Sequence, residues 1–225
     1  MQEFLKGCYV KELYYNNNSI DKQANAFLEK ITPLRNKHSI QIHPSKVALL
    51  VMDFQKFFID ENSHACVPSA RTIIPSVLKL QNHCLQNKIM VIQTFHTVGE
   101  KDNMMSKWWH KSSELLIPEV IPELSNPKAK MILKNQYDAF YNTDLESILK
   151  KNGIEQLIIT GIMTHLCCET TARSAFVRGY ETFFSIDGTA TYNREFHLGS
   201  LINLAHGFAI PMLTSEIMNQ LKDYE

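Results

Sequence analysis

The sequence predicts an α/β fold: a single doubly wound domain whose six-stranded parallel sheet is flanked by helices in a three-layer, Rossmann-like arrangement. Six short runs rich in Val, Ile, Leu and Phe recur along the chain. They show almost no alternation with polar residues, as strands buried on both faces require. Segments of helical periodicity lie between most of them, and strand–helix–strand repetition builds a parallel sheet covered on both sides.

The first 45 residues are polar and stand apart, so residues 1–45 read as an N-terminal arm and residues 46–225 as the domain. Within the arm, Ser19–Lys30 is helix-capable, with Asp21 placed to cap it, and a loop leads to Pro44. The first strand is VALLVMD (47–53), followed by a helix over 69–86 and the second strand, IMVIQTF (89–95). Residues 97–128 are long for a strand-to-helix connection and carry Trp108, Trp109 and three prolines, which marks a functional loop. The third strand is KMILK (130–134). A helix over 143–152 has Asp144 and Glu146 in its first turn and Gly153 to stop it. QLIITG (156–161), a helix over 167–178 ended by Gly179, and ETFFSI (181–186) come next. A helix over 194–207, the run AIPMLT (209–214) and a helix over 214–222 complete the pattern.

Composition narrows the function. The chain has 225 residues, 44% of them hydrophobic and 20% charged, which suits a globular domain and not a disordered one. Its 23 basic and 23 acidic side chains cancel, and no charged block stands out, so neither nucleic acid nor a membrane surface is expected as a partner. The longest apolar run, Val47 to Met52, is far short of the roughly 20 residues that span a bilayer. The N-terminus has no apolar stretch of secretory type, and the five cysteines form no framework, which reads as reduced thiols in a cytoplasmic protein. No Cys-x-x-Cys pair or His/Cys cluster suggests zinc, so no metal and no cofactor is expected, and the partner is a small-molecule substrate.

In doubly wound sheets, ligands bind beyond the carboxyl ends of the strands. The residues there are Asp53, His96, Lys134, the segment 161–168, Asp187 and Thr214. A carboxylate such as Asp53, directly after six apolar residues, is costly to bury unless paired, though capping a loop is an equally ordinary role for it. Lys134 ends its strand in the same way. In GIMTHLCC a strand ends at Gly161 and a helix starts near Cys167, where the helix dipole favours a thiolate. Cys168 lies about 100° further round the helix and should face the core, while Cys8, Cys66 and Cys84 read as small packing residues. Thr164 and His165 read as structural parts of the turn. An acid, an amine and a thiol converging on one crevice outline a nucleophilic hydrolase: the carboxylate takes the thiol proton, the ammonium stabilises the anions and backbone amides hold an oxyanion.

The motifs D-x-Q-x-x-F (Asp53, Gln55, Phe58), K-x-x-Y-x-A-F (Lys134, Tyr137, Ala139, Phe140) and G-x-x-T-x-x-C-x-x-T-T-A (Gly161 to Ala172) resemble the isochorismatase-like hydrolase superfamily, from about Lys46 to Glu216. That resemblance implies Asp53 as base, Lys134 as electrostatic partner and Cys167 as nucleophile. It further implies a cis peptide between Ile162 and Met163 and an oxyanion hole from the N–H groups of Met163 and Cys167. Gln55, Phe58, His96, Trp108 and Tyr137 are expected around the substrate, and the family is usually oligomeric, so a homo-oligomer is expected. TGIMTHLCCETTARSAF and REFHLGSL resemble the isochorismatase branch, which commonly carries Gly in place of Cys167 and Gln in place of His96. The metal-binding Asp-x-His of the nicotinamidase branch is not matched, because Thr94 replaces its aspartate. The expected activity is cleavage of a C–N amide-type bond through a Cys167 acyl-enzyme. The alternatives are vinyl-ether cleavage as a true isochorismatase, with Asp53 as general acid, and a catalytically silent binding protein.

Overall fold

A computed structural model describes residues 10–97, 104–109 and 121–222; Cys8 and much of the 97–128 loop lie outside them. In chain order the elements are α1 (Ile20–Arg35), β1 (Val47–Met52), α2 (Lys56–Ile59), α3 (Ala70–Gln86), β2 (Met90–His96), α4 (Met104–Trp109), β3 (Lys130–Lys134) and α5 (Leu145–Lys151). They continue with β4 (Gln156–Ile162), α6 (Glu169–Val177), β5 (Glu181–Ala190), α7 (Arg194–Gly207), β6 (Ile210–Met212) and α8 (Thr214–Lys222). A wide turn with π-type hydrogen bonding, Thr164–Cys168, joins β4 to α6. No helix among the described residues is long and apolar enough to cross a membrane.

The six apolar runs form one parallel sheet in the order β3-β2-β1-β4-β5-β6. Every residue of β1 and β4 is buried, which explains the absence of polar alternation in those runs. Strand β3 lies at the edge, where Met131 and Leu133 are exposed while Ile132 and Lys134 are buried. Connections run outward in opposite directions from β1 and β4. The crevice at this reversal opens at the carboxyl ends of both, next to Asp53 and the 164–168 turn.

Two elements differ from expectation. Strand β5 continues to Ala190 instead of ending at Ile186, because a register shift against β4 between Ile159 and Gly161 absorbs the extra residues. Asp187 is drawn into this stretch and accepts hydrogen bonds from the Thr214 N–H (2.6 Å) and hydroxyl (2.8 Å), so it caps α8 instead of entering the crevice. Helix α1 runs five residues past the expected end, and Arg35 at its last turn makes a two-pronged pair with Glu216. Residues 10–45, read above as an arm, lay Tyr14, Tyr15, Phe27 and Ile31 into the same core as the sheet.

Gly161 sits where β4 passes closest to β1. Its φ is +131°, and a Cβ there would overlap the carbonyl oxygen and backbone nitrogen of Met52. Gly199, inside α7, has open space around the same position. Gly161→Ala is expected to lower stability by about 3 kcal/mol, from backbone strain plus overpacking. Gly199→Ala is expected to raise it by about 0.5–1 kcal/mol. Urea unfolding midpoints measured side by side check both signs.

Candidate active site

Asp53 follows β1 in a left-handed backbone conformation (φ 55°), which Asp tolerates better than most residues. Its N–H donates to the Thr94 carbonyl (3.0 Å), and the Thr94 hydroxyl donates to Asp53 Oδ1 (2.7 Å). The other carboxylate oxygen, Oδ2, lies 2.7 Å from Lys134 Nζ, with both side chains fully buried. Apart from that ammonium, Oδ2 meets no hydrogen-bond partner among the described residues. Lys134 Nζ also reaches the Gln136 carbonyl (3.0 Å), His96 Nδ1 (3.3 Å) and Cys167 Sγ (3.3 Å). Burial alone would push the lysine pKa down, but Asp53 and Cys167 outweigh it and hold the group above its ordinary value, firmly charged. His96 is held at about 4 by burial and by the neighbouring ammonium, so it is neutral and its Nδ1 accepts.

The nucleophile position is built by the turn after β4. The Ile162–Met163 peptide is cis. The Met163 carbonyl accepts the N–H groups of Leu166 (3.1 Å) and Cys168 (3.2 Å), which closes the turn around Cys167. Cys167 lines the crevice while Cys168 is wholly buried. Burial pushes the Cys167 thiol up to about 12; Lys134 pulls it down and Asp53 pushes it up. The helix terminus suggested a thiolate, but the dry surroundings and the nearby carboxylate override that local effect. The resting centre is therefore a carboxylate, an ammonium and a neutral thiol.

Phe57, Phe58, Trp109, Tyr137 and Tyr192 give the adjoining pocket aromatic walls, together with His96, Met163 and Cys167. The Trp109 indole N–H donates to the Tyr137 hydroxyl (2.6 Å), tying α4 to the segment after β3. Of the residues expected at substrate, Phe58, His96 and Tyr137 line this pocket. Trp108 does not: it is 70% exposed, and its neighbour Trp109 takes the position instead. Gln55 is also absent from the walls. Its amide donates to the His96 carbonyl (2.9 Å) and accepts from the His96 N–H (2.7 Å), so it clamps the end of β2.

Ligating atoms of Asp53, His96 and Cys167 lie within 4.8 Å of one another, close enough to hold a metal ion. The Lys134 ammonium touches all three, and a cation among them would face that positive charge. His165 is turned away, with Nδ1 on the Thr191 hydroxyl and its ring stacked on Phe196.

Three supporting residues carry no signal of this role in the sequence. Thr94 orients Asp53, and its role follows from the pairing of Met52 with Thr94 across β1 and β2. Tyr14 and His197 lie far apart in the chain, yet the Tyr14 hydroxyl sits 3.0 Å from His197 Nδ1. That same nitrogen is 3.1 Å from the Thr164 hydroxyl at the start of the nucleophile turn. Burial holds His197 near 3, so the ring is neutral and accepts there.

A model of the isochorismatase domain matches residues 47–216, most of the chain and every residue of the cluster. The protein belongs to the isochorismatase family. This family member is 38% identical to Nicotinamidase 3 of Arabidopsis thaliana over 175 residues, covering 73% of this chain and 84% of that one. It is 29% identical to Enterobactin synthase component B of Escherichia coli (strain K12) over 205 residues, covering 87% and 70%. Among solved structures, a cysteine hydrolase from Pseudomonas syringae pv. phaseolicola 1448A superposes with a TM-score of 0.78 at 25% identity, covering 82% of this chain and 96% of that one. The isochorismatase-family fold thus matches the six-stranded sheet described above.

The charge balance of the family member's site has a direct test. Replacing Asp53→Asn removes the carboxylate that opposes thiol ionisation and leaves Lys134 to favour it. A unit charge about 4 Å away is worth about 4 kcal/mol at an intermediate dielectric. The pH at which Cys167 ionises, read from the pH dependence of its alkylation by iodoacetamide, should therefore fall by at least about one unit in the variant. Peptide mapping of the labelled cysteines reads the outcome.

Proposed function

We propose that this isochorismatase-family hydrolase cleaves a C–N amide-type bond in a small molecule through a Cys167 acyl-enzyme. The observation that carries this is the Cys167 thiol, which lines the pocket while resting 3.3 Å from Lys134 and beside the Asp53 carboxylate. Asp53 takes the thiol proton as sulfur attacks the carbonyl carbon, and Lys134 stabilises the negative charge as it passes from the carboxylate to sulfur. The N–H groups of Met163 and Cys167 receive the oxyanion. Asp53 then delivers the proton to the leaving nitrogen, the C–N bond breaks, and the acyl group stays on sulfur. Water, deprotonated by Asp53, attacks the thioester, and the acid departs with the thiol restored. Phe58, His96, Trp109 and Tyr137 contact the substrate. The 38% identity to a nicotinamidase supports amide chemistry.

A second reading is vinyl-ether cleavage with Asp53 as general acid, favoured by the 29% identity, over 84% of the chain, to the Isochorismatase of Bacillus subtilis (strain 168). The two diverge at sulfur. Cys167→Ala should lower ammonia release from an amide substrate by three orders of magnitude or more, as loss of a covalent nucleophile does, with the fold retained. The same variant should keep near-full cleavage of isochorismate if sulfur is a bystander. Ammonia release and product mass spectrometry on both proteins decide between them.

A further inference from the structure

Among the described residues the pocket walls contain no Lys, Arg, Asp or Glu, and Lys134 behind them already serves Asp53, His96, Gln136 and Cys167. A cation nevertheless stands at the rim. Lys11 Nζ donates to the His64 carbonyl (2.5 Å) and sits 4.7 Å from the centre of the Tyr192 ring. His64 and Tyr192 both line the pocket, so this ammonium bridges two of its walls. No carboxylate among the described residues pairs with it.

The backbone around Lys11 is held in place. The Glu12 N–H donates to the Tyr192 carbonyl (2.7 Å), and the Glu12 carboxylate accepts from the Arg194 N–H (3.1 Å). The Asn193 amide donates to the Val10 carbonyl (3.4 Å), and the Tyr14 hydroxyl accepts from the Thr191 N–H (3.0 Å). Residues 10–14 thus run along the 191–194 loop as a fixed strip. An ammonium has three donors, of which the His64 carbonyl uses one, and a π face leaves its charge unneutralised.

We infer that Lys11 is an anion-binding residue at the pocket mouth, and that the substrate is a small amide carrying a carboxylate at the end opposite its scissile bond. The apolar walls would take the body of such a molecule, Cys167 its amide carbon, and Lys11 its charge. This rests on the amide-hydrolase reading for the chemistry, whereas the binding of the anion stands apart from it.

The test separates the two. Cys167→Ala protein, which binds without turnover, is titrated calorimetrically with 4-carbamoylbenzoate and with benzamide, with Lys11 present and with Lys11→Met or Lys11→Arg added. With Lys11 the charged amide should bind about tenfold tighter or better, as a charge-assisted hydrogen bond supplies. Lys11→Met should abolish that preference while leaving benzamide unchanged, Lys11→Arg should retain part of it, and added salt should shrink it. An equal preference with and without Lys11, or none at all, overturns the proposal, including the case where Lys11→Met only lowers the melting temperature. Ammonia release is measured separately on protein with Cys167 intact. Turnover of an amide together with a charge preference that is absent, or that is unchanged by Lys11→Met, refutes the anion site alone; a Lys11-dependent preference without turnover refutes the amide reaction alone.

Discussion

The Asp53–Lys134 ion pair, buried with no solvent on either side chain, is the constraint around which the rest of the centre is arranged. Two charges taken out of water are tolerable only when they meet each other at close range and their remaining hydrogen-bonding groups are matched. Thr94 occupies one carboxylate oxygen, and Gln136, His96 and Cys167 share the two remaining N–H groups of the ammonium. The pair is electrically balanced, and a thiolate added to it would leave an unbalanced negative charge in a dry site. That is why the thiol rests neutral. Its ionisation belongs with the reaction, where the carboxylate takes the proton and the total charge of the three side chains stays unchanged.

The sheet order supplies this geometry from four strands. Asp53 leaves the carboxyl end of β1 and the cysteine turn leaves that of its neighbour β4, on the two sides of the point where the connections reverse. Strands β2 and β3 bring in His96 and Lys134, paired with each other in the ladder. The close approach of β1 and β4 at Gly161 allows the first two groups to meet, and the Gln55 clamp fixes the end of β2 beside them.

Much of this was legible in the sequence, for a physical reason. A charged or reactive side chain at the end of an apolar run is visible as an exception to burial, and Asp53, Lys134 and Cys167 are all such exceptions. Thr94 is not visible, because a threonine inside a buried strand looks like packing until the register places it beside Asp53. Trp108 and Trp109 are adjacent on one short helix and point in different directions, and only packing selects the one that faces the pocket. Gln55 belongs to the same motif as Asp53, yet both ends of its amide are engaged by the backbone of His96 at the end of the neighbouring strand β2. The thiol's protonation went the other way from its local signal because burial is a property of the whole fold, whereas the helix terminus is a property of a few residues.

The link from Tyr14 through His197 to Thr164 bears on how the protein comes into being at the ribosome. The turn that presents the cysteine leaves the exit tunnel before the histidine that steadies it, which lies 33 residues further along. Tyr14, synthesised almost at the outset, must wait 183 residues for the same imidazole. A nascent chain that already holds every reacting group therefore lacks the prop beneath its nucleophile turn, and competence arrives only as translation nears its end.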